Sequence, residues 1–245
     1  MVHLERFGPD SPGWPSAVIA LACRMARAPR MIAANEFYHV MNRGNQKARV
    51  FHQAADYHAF LACMREAQDR VDLPLFAVCL MPNHVHFVAK PRQDGDIAAW
   101  ISWLFTTHVR RHHRKYGTTG RLWQGRYKAS LIQQDQHLLT VLRYVERNAL
   151  TAKLVSRAED WPWGSLPWRD ARSPPITLTP SPVELPEWWV GFVNQPMTSA
   201  ELEAVRVSMR KQRPFGCPDW VESKVRETGA EQSLASVGRP RKERG

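Results

Sequence analysis

The chain has 245 residues, 44% hydrophobic and 23% charged, with 34 Lys and Arg against 23 Asp and Glu for a formal net charge of +11. That length and apolar content support a self-sufficient core and exclude a chain disordered throughout, and no apolar run approaches the roughly 18 residues of a membrane span. The cysteines Cys23, Cys63, Cys79 and Cys217 form no C-x-x-C pair; they read as free thiols of a reducing, cytoplasmic compartment rather than as a disulfide scaffold.

Residues 1–33 read as a poorly ordered leader punctuated by Gly8, Pro9, Pro12, Gly13 and Pro15. They lack the order of charge, apolar run and cleavage site that marks a secretory signal, and Met25 and Met31 stand as alternative starts. FYHVMN, Phe37 to Asn42, is β-branched and aromatic and runs into Arg43-Gly44, a strand followed by a turn. Asp56 to Asp72 carries Phe60, Leu61, Met64, Ala67 and Val71 at a helical period. Leu75 to Leu80 is a short buried strand, Met81-Pro82-Asn83 a turn, and His84 to Ala89 the next strand. Asp96 is placed to cap a helix from Ile97 to about Tyr116, ended by Gly117 and Gly120. Tyr127 to Gln133 alternates as a strand would, and Asp135 caps a helix through Leu138, Leu139, Leu142 and Val145.

The order strand, helix, strand, strand, helix, strand, helix predicts an α+β domain over residues 34–157, ferredoxin-like, with a mainly antiparallel sheet flanked by helices. Residues 158–245 form a C-terminal extension of different texture. Trp161 to Pro196 holds eight prolines and five of the ten tryptophans, a stretch expected to wrap over the main domain through its rings. A short helix, Ala200 to Lys211, follows, and the chain ends in a basic tail.

The positive surplus is concentrated. From Ile97 to Gln134 there is no acidic residue, while Arg110, Arg111, Arg114, Lys115, Arg121, Arg126 and Lys128 all fall in that window. A solvated helix face ordinarily mixes signs, because like charges at helical spacing repel; an unmixed one suits a polyanion. Arg121, Trp123, Gln124, Arg126, Tyr127 and Lys128 interleave cations and rings, a pattern suited to single strands whose bases stack while their phosphates track charge. Trp123 reads equally well as a core residue. Arg43-Gly44 reads either as a close phosphate contact or as an ordinary turn. Arg239 and Arg241, in GRPRK, read either as a minor-groove arm or as a plain basic end.

His84-Val85-His86 is the sharpest chemical feature. Residues two apart on a strand share a face, so both imidazoles project one way, as a surface or packing pair or as two ligands of one divalent metal. Position 88 is Val rather than a third histidine, and H-E-x-x-H is absent, which removes the histidine-triad hydrolases and the zinc proteases. In LRYVERNAL, Tyr144 and Asn148 stand four apart on a helix face beside the apolar stripe of Leu138, Leu142 and Val145, and stepping back along that face gives Val141 and His137.

Taken together, MPNHVHFV, GRLWQGRYKASLI, RYVERNALTAKLV and DWPWGS, in this order and preceded by FYHVMNRGN, closely resemble the REP-associated tyrosine transposases, single-tyrosine members of the HUH nuclease superfamily. The resemblance implies a ferredoxin-like sheet and a divalent cation, Mg²⁺ or Mn²⁺, held by His84 and His86 with Asn148 as a third, amide ligand. It implies Tyr144 as the nucleophile, acting on single-stranded DNA beside imperfect hairpins. The charge pattern, independently of the resemblance, offers Arg43, Gly44, Arg110, Arg114 and the Arg121–Lys128 segment as DNA contacts. The chain departs from the family in two places: Asn148-Ala149 stands where relatives have Asn-Pro, and Gly164-Ser165 where they have two serines. The first is expected to let the tyrosine helix run on and shift Asn148, the second to affect packing alone. A non-catalytic nucleic-acid-binding regulator on the same fold is the alternative, and monomer and homodimer are both open.

Overall fold

The protein is described from a computed structural model over residues 32–234; nearly all of the expected leader, and Arg239 and Arg241, lie outside the described residues. Four strands, β1 (Phe37–Arg43), β2 (Leu75–Met81), β3 (His84–Ala89) and β4 (Lys128–Ile132), form one sheet in the order β2-β3-β1-β4, with every pairing antiparallel. β1 and β2 are joined by α1 (Ala54–Gln68) and run the same way with β3 between them. α2 (Asp96–Tyr116) connects β3 to β4, and α3 (Gln136–Glu146) follows β4. This is the ferredoxin-like α+β arrangement that the element order predicts.

Each helix takes its place from local chemistry. α1 starts two residues earlier than its apolar period suggests, because Asp56 sits at its third position and turns back to accept the backbone N–H groups of His52 (2.8 Å) and Gln53 (3.1 Å). The same carboxylate accepts Lys115 Nζ (2.6 Å) and the Tyr116 hydroxyl (2.7 Å), tying the start of α1 to the end of α2. Asp96 is the first residue of α2 rather than its cap; Gly95 holds the cap position, and Asp96 Oδ2 instead accepts from Arg92 N and Gln93 N. Gly117 ends α2 in the left-handed region, φ 62°, where a Cβ would be strained. Asp135 caps α3 as expected, its carboxylate accepting from His137 N at 2.8 Å.

Strand alternation divides the core in two. Tyr38, Val40, Val85 and Phe87 pack against Phe60 and Met64 of α1 and Trp100 and Leu104 of α2. Phe37, Val88 and Ile132 pack on the opposite face against Leu138, Leu142 and Val145 of α3. His39, Met41 and Arg43, in step with Phe37, and His84 and His86, in step with Val88, therefore belong to the face that α3 covers.

The C-terminal residues close the sheet. On the β2 edge, Leu80 N donates to Trp163 O (2.9 Å), Ser165 N to Val78 O (2.8 Å), and Val78 N to Ser165 Oγ (3.0 Å). On the β4 edge, Phe215 N donates to Leu131 O (2.8 Å) and Gln133 N to Phe215 O (2.9 Å). Open edges are templates for unwanted pairing, and both are occupied here. Trp163 stacks on Tyr57 at 4.7 Å, and Trp161 Nε1 donates to Leu80 O, so the Pro/Trp-rich stretch does lie over the domain through its rings. After the short α4 (Asn148–Thr151) come α5 (Trp189–Asn194), α6 (Ser199–Lys211) and α7 (Pro218–Thr228).

Candidate active site

The β1–β3 register sets Met41 opposite His86 and Arg43 opposite His84, and α3 lies over this part of the sheet with Leu138, Leu142 and Val145 buried beneath it. That leaves Tyr144 half-buried above the histidines. Its ring centroid is 5.9 Å from that of His86, edge to face at 87°, and 5.8 Å from that of His39. His84 and His86 stand 5.0 Å apart, nearly perpendicular. The structure thus brings together the two histidines and the tyrosine, which are far apart in sequence.

α3 ends at Glu146, and the chain keeps a helical course across Arg147 into α4, with Arg147 N bonded to Arg143 O and Thr151 N to Arg147 O. With Ala149 in place of proline, Asn148 still lies one turn beyond Tyr144, and its side-chain amide stands near enough to His84 and Tyr144 to favour the charged form of each. His137 is turned away, its Nδ1 on Asp135 (2.7 Å) and its ring edge-on to Phe215.

Burial sets the charge states. It pushes His84 down to about 4, helped by the Arg43 guanidinium and opposed by Asn148, and it holds His86 well below the ordinary imidazole range, helped by His84, His39 and Arg43. Both rings are neutral at physiological pH, the state a metal ligand requires. Burial raises the Tyr144 phenol, while Arg206, Asn148 and Arg43 pull it back.

Two residues here escaped the sequence reading. His39, fully buried, places Nε2 2.8 Å from His86 Nδ1; its only signal was its two-residue spacing from Met41 and Arg43 on β1. Arg206, on α6, lies near the Tyr144 phenol and favours its ionised form. Nothing in its local sequence marks it, because its position depends on α6 packing, where Val205 enters the α3 core and Ser208 O accepts from Ser130 Oγ at 3.0 Å.

Among the described residues no cluster of three or more His, Cys, Asp or Glu side chains is arranged to hold a metal. A cation here would rest on the two imidazoles and the Asn148 amide and take its remaining ligands from substrate and water. Two neutral nitrogens and one amide oxygen suit Mn²⁺ and are tolerable for Mg²⁺.

The basic residues fall into two groups. Arg110 and Arg114 on α2, with Arg121, Gln124 and Arg126 in the loop after it, are exposed, and the arginines among them make no ion pair with the described residues. Arg111 is spent on Glu66 and Lys115 on Asp56. Lys128 Nζ donates to Arg210 O, and Tyr127 is half-buried. Of its two roles Trp123 takes the core one: it is 6% exposed and packs on Phe105 at 4.7 Å, so it offers no stacking platform in this conformation. Gly44 pairs with Trp123 across a bridge, and a Cβ on it would lie 2.2 Å from Ala48 O, so the turn after Arg43 requires glycine.

Residues 33–148 match the family model described as "Transposase IS200 like". A protein of Haemophilus influenzae named "Putative REP-associated tyrosine transposase" is 27% identical over 122 residues, 45% of this chain and 69% of the relative. A solved structure titled "Structure of the REP associates tyrosine transposase bound to a REP hairpin" superposes with a TM-score of 0.51 at 16% identity, covering 64% of this chain and 93% of the other.

Proposed function

Because residues 33–148 form an IS200-like transposase domain and the chain resembles the REP-associated tyrosine transposases, we propose that it is a metal-dependent transposase acting on single-stranded DNA beside hairpin repeats through a covalent tyrosine intermediate. The observation that carries this reading is the Tyr144 ring beside His86, itself edge-on to His84, with Asn148 next to both His84 and Tyr144. A divalent cation bound by His84, His86 and Asn148 would polarise the scissile phosphate and offset the charge that builds on it.

The chain's own residues account for the rest. Tyr144 Oη attacks phosphorus, a bond forms between the phenolic oxygen and phosphorus, and the bond from phosphorus to the 3′ oxygen breaks. In the net reaction the phenolic proton ends on that departing oxygen, giving a 5′-phosphotyrosine and a free 3′-hydroxyl. One phosphodiester replaces another, so a second 3′-hydroxyl can reverse the step and join a new strand. Arg206 and Arg43 favour the ionised phenol. Arg110, Arg114, Arg121 and Arg126 present the exposed positive surface along which a phosphate backbone would lie.

A labelled hairpin oligonucleotide with single-stranded flanks, incubated with protein and Mn²⁺ and run on a denaturing gel, tests the reading. Wild type is expected to yield a covalent adduct, and Tyr144→Phe to yield none while binding the oligonucleotide with near-wild-type affinity. Binding without cleavage by wild type in either metal would favour the non-catalytic regulator instead.

A further inference from the structure

The HUH pair can act on one cation only if each imidazole presents a bare nitrogen to it, and a neutral imidazole has one bare nitrogen and one N–H. Which is which depends on the hydrogen bond that the other nitrogen makes. For His84 the neighbour decides. Asn83 Nδ2 donates to Lys47 O at 3.0 Å, which turns its amide oxygen toward His84 Nδ1 at 2.7 Å. An amide oxygen only accepts, so His84 carries its proton on Nδ1 and leaves Nε2 bare.

His86 has no such fixed acceptor. Its Nδ1 faces His39 Nε2 at 2.8 Å, both rings being buried, and either ring could donate. If His39 donated, His86 would carry its proton on Nε2 and could not pair with His84 toward one cation. We propose that His39 is a positioning residue of the metal site, accepting through Nε2 the proton on His86 Nδ1 and so leaving His86 Nε2 bare beside that of His84. This rests on the metal-dependent reading above. The strand pairing supports it: β1 and β3 are adjacent and antiparallel, so the His39–His86 bond joins two strands already held in register by their backbones. The His39 ring also stands edge-on to Tyr144 at 5.8 Å, so one side chain braces a metal-site histidine and touches the tyrosine.

Two variants separate the hydrogen bond from packing. His39→Phe keeps a ring of similar size against Tyr144 but has no acceptor; His39→Gln supplies an amide oxygen near the position of Nε2. Mn²⁺ binding to the DNA-free protein, measured by titration calorimetry, is expected to weaken about 10- to 100-fold in His39→Phe, the range typical of lost outer-shell partners. His39→Gln is expected to stay close to wild type, with unchanged far-UV circular dichroism in both. In parallel, ¹⁵N NMR of the metal-free wild type is expected to show His84 and His86 protonated on Nδ1.

A folded His39→Phe that binds Mn²⁺ as wild type does overturns the proposal. So does a wild-type His86 protonated on Nε2, whether or not either variant folds. If wild type binds no Mn²⁺ yet shows His86 protonated on Nδ1, and loses that state in His39→Phe, the part played by His39 stands and the cation drops out of the proposed function.

Discussion

A phenol with an ordinary pKa of about 10 is a slow nucleophile at neutral pH, and the surroundings of Tyr144 act on it in opposite directions. Burial favours the neutral form, while the Arg206 guanidinium, the Asn148 amide and Arg43 favour the phenolate. Removing Arg206 therefore shifts the balance toward the neutral phenol. Arg206→Gln is expected to slow cleavage roughly tenfold at neutral pH, in line with loss of one nearby positive charge, and to move the rising limb of the pH–rate profile to higher pH. A profile that does not move would remove Arg206 from the reaction. Their periods alone fixed which faces His84, His86 and Tyr144 share; as one group they were legible only through the motif order that resembles a known family. His39 and Arg206 were not. His39 becomes a neighbour of His86 only through the β1–β3 register, and Arg206 reaches Tyr144 only through the docking of a helix from the extension.

At the scale of elements, the tyrosine helix is held by the C-terminal extension. Glu146, two residues after Tyr144, is fully buried, with Oε1 accepting from Ser165 Oγ (2.6 Å) and Arg169 Nε (2.9 Å) and Oε2 from Trp189 Nε1 (2.7 Å). Arg143 donates to Gln195 O, and Arg147 to Val193 O and Asn194 O, at the carbonyl end of α5, where a helix dipole favours cations. Trp189→Phe keeps the ring but strips one donor from a buried carboxylate. It is expected to cost about 1–3 kcal/mol in denaturant unfolding; an unchanged midpoint would show that the carboxylate finds another partner. Ser165 does more than pack, since its hydroxyl joins Glu146 to the β2 edge. A Cβ on Gly164 would come within 3.3 Å of Trp161 Cδ1, so glycine suits this tight position. The order and kind of the elements were legible from period and turn residues. The α1 start and the Gly95 cap were not, because backbone bonding by Asp56 and Asp96 decides them.

At the scale of the whole molecule, stability depends on imidazoles kept neutral away from water. Burial pushes His39 and His108 down to about 3 and His86 well below its ordinary range. Between the unfolded value near 6.5 and these lower values, the unfolded chain binds protons that the folded chain does not. The contribution is therefore complete above about pH 6.5 and is lost as pH falls, by about 1.4 kcal/mol per pH unit for each such ring. Thermal melts are expected to fall steeply from pH 7 to pH 5, and a flat midpoint over that window would contradict the burial of these rings.

The most direct measurement is tandem mass spectrometry of the nuclease-trimmed protein–DNA adduct. The account predicts a single nucleotide-5′-phosphate mass on the peptide containing Tyr144. The same mass on any other residue, or cleavage that leaves a free 5′-phosphate and no modified peptide, contradicts it.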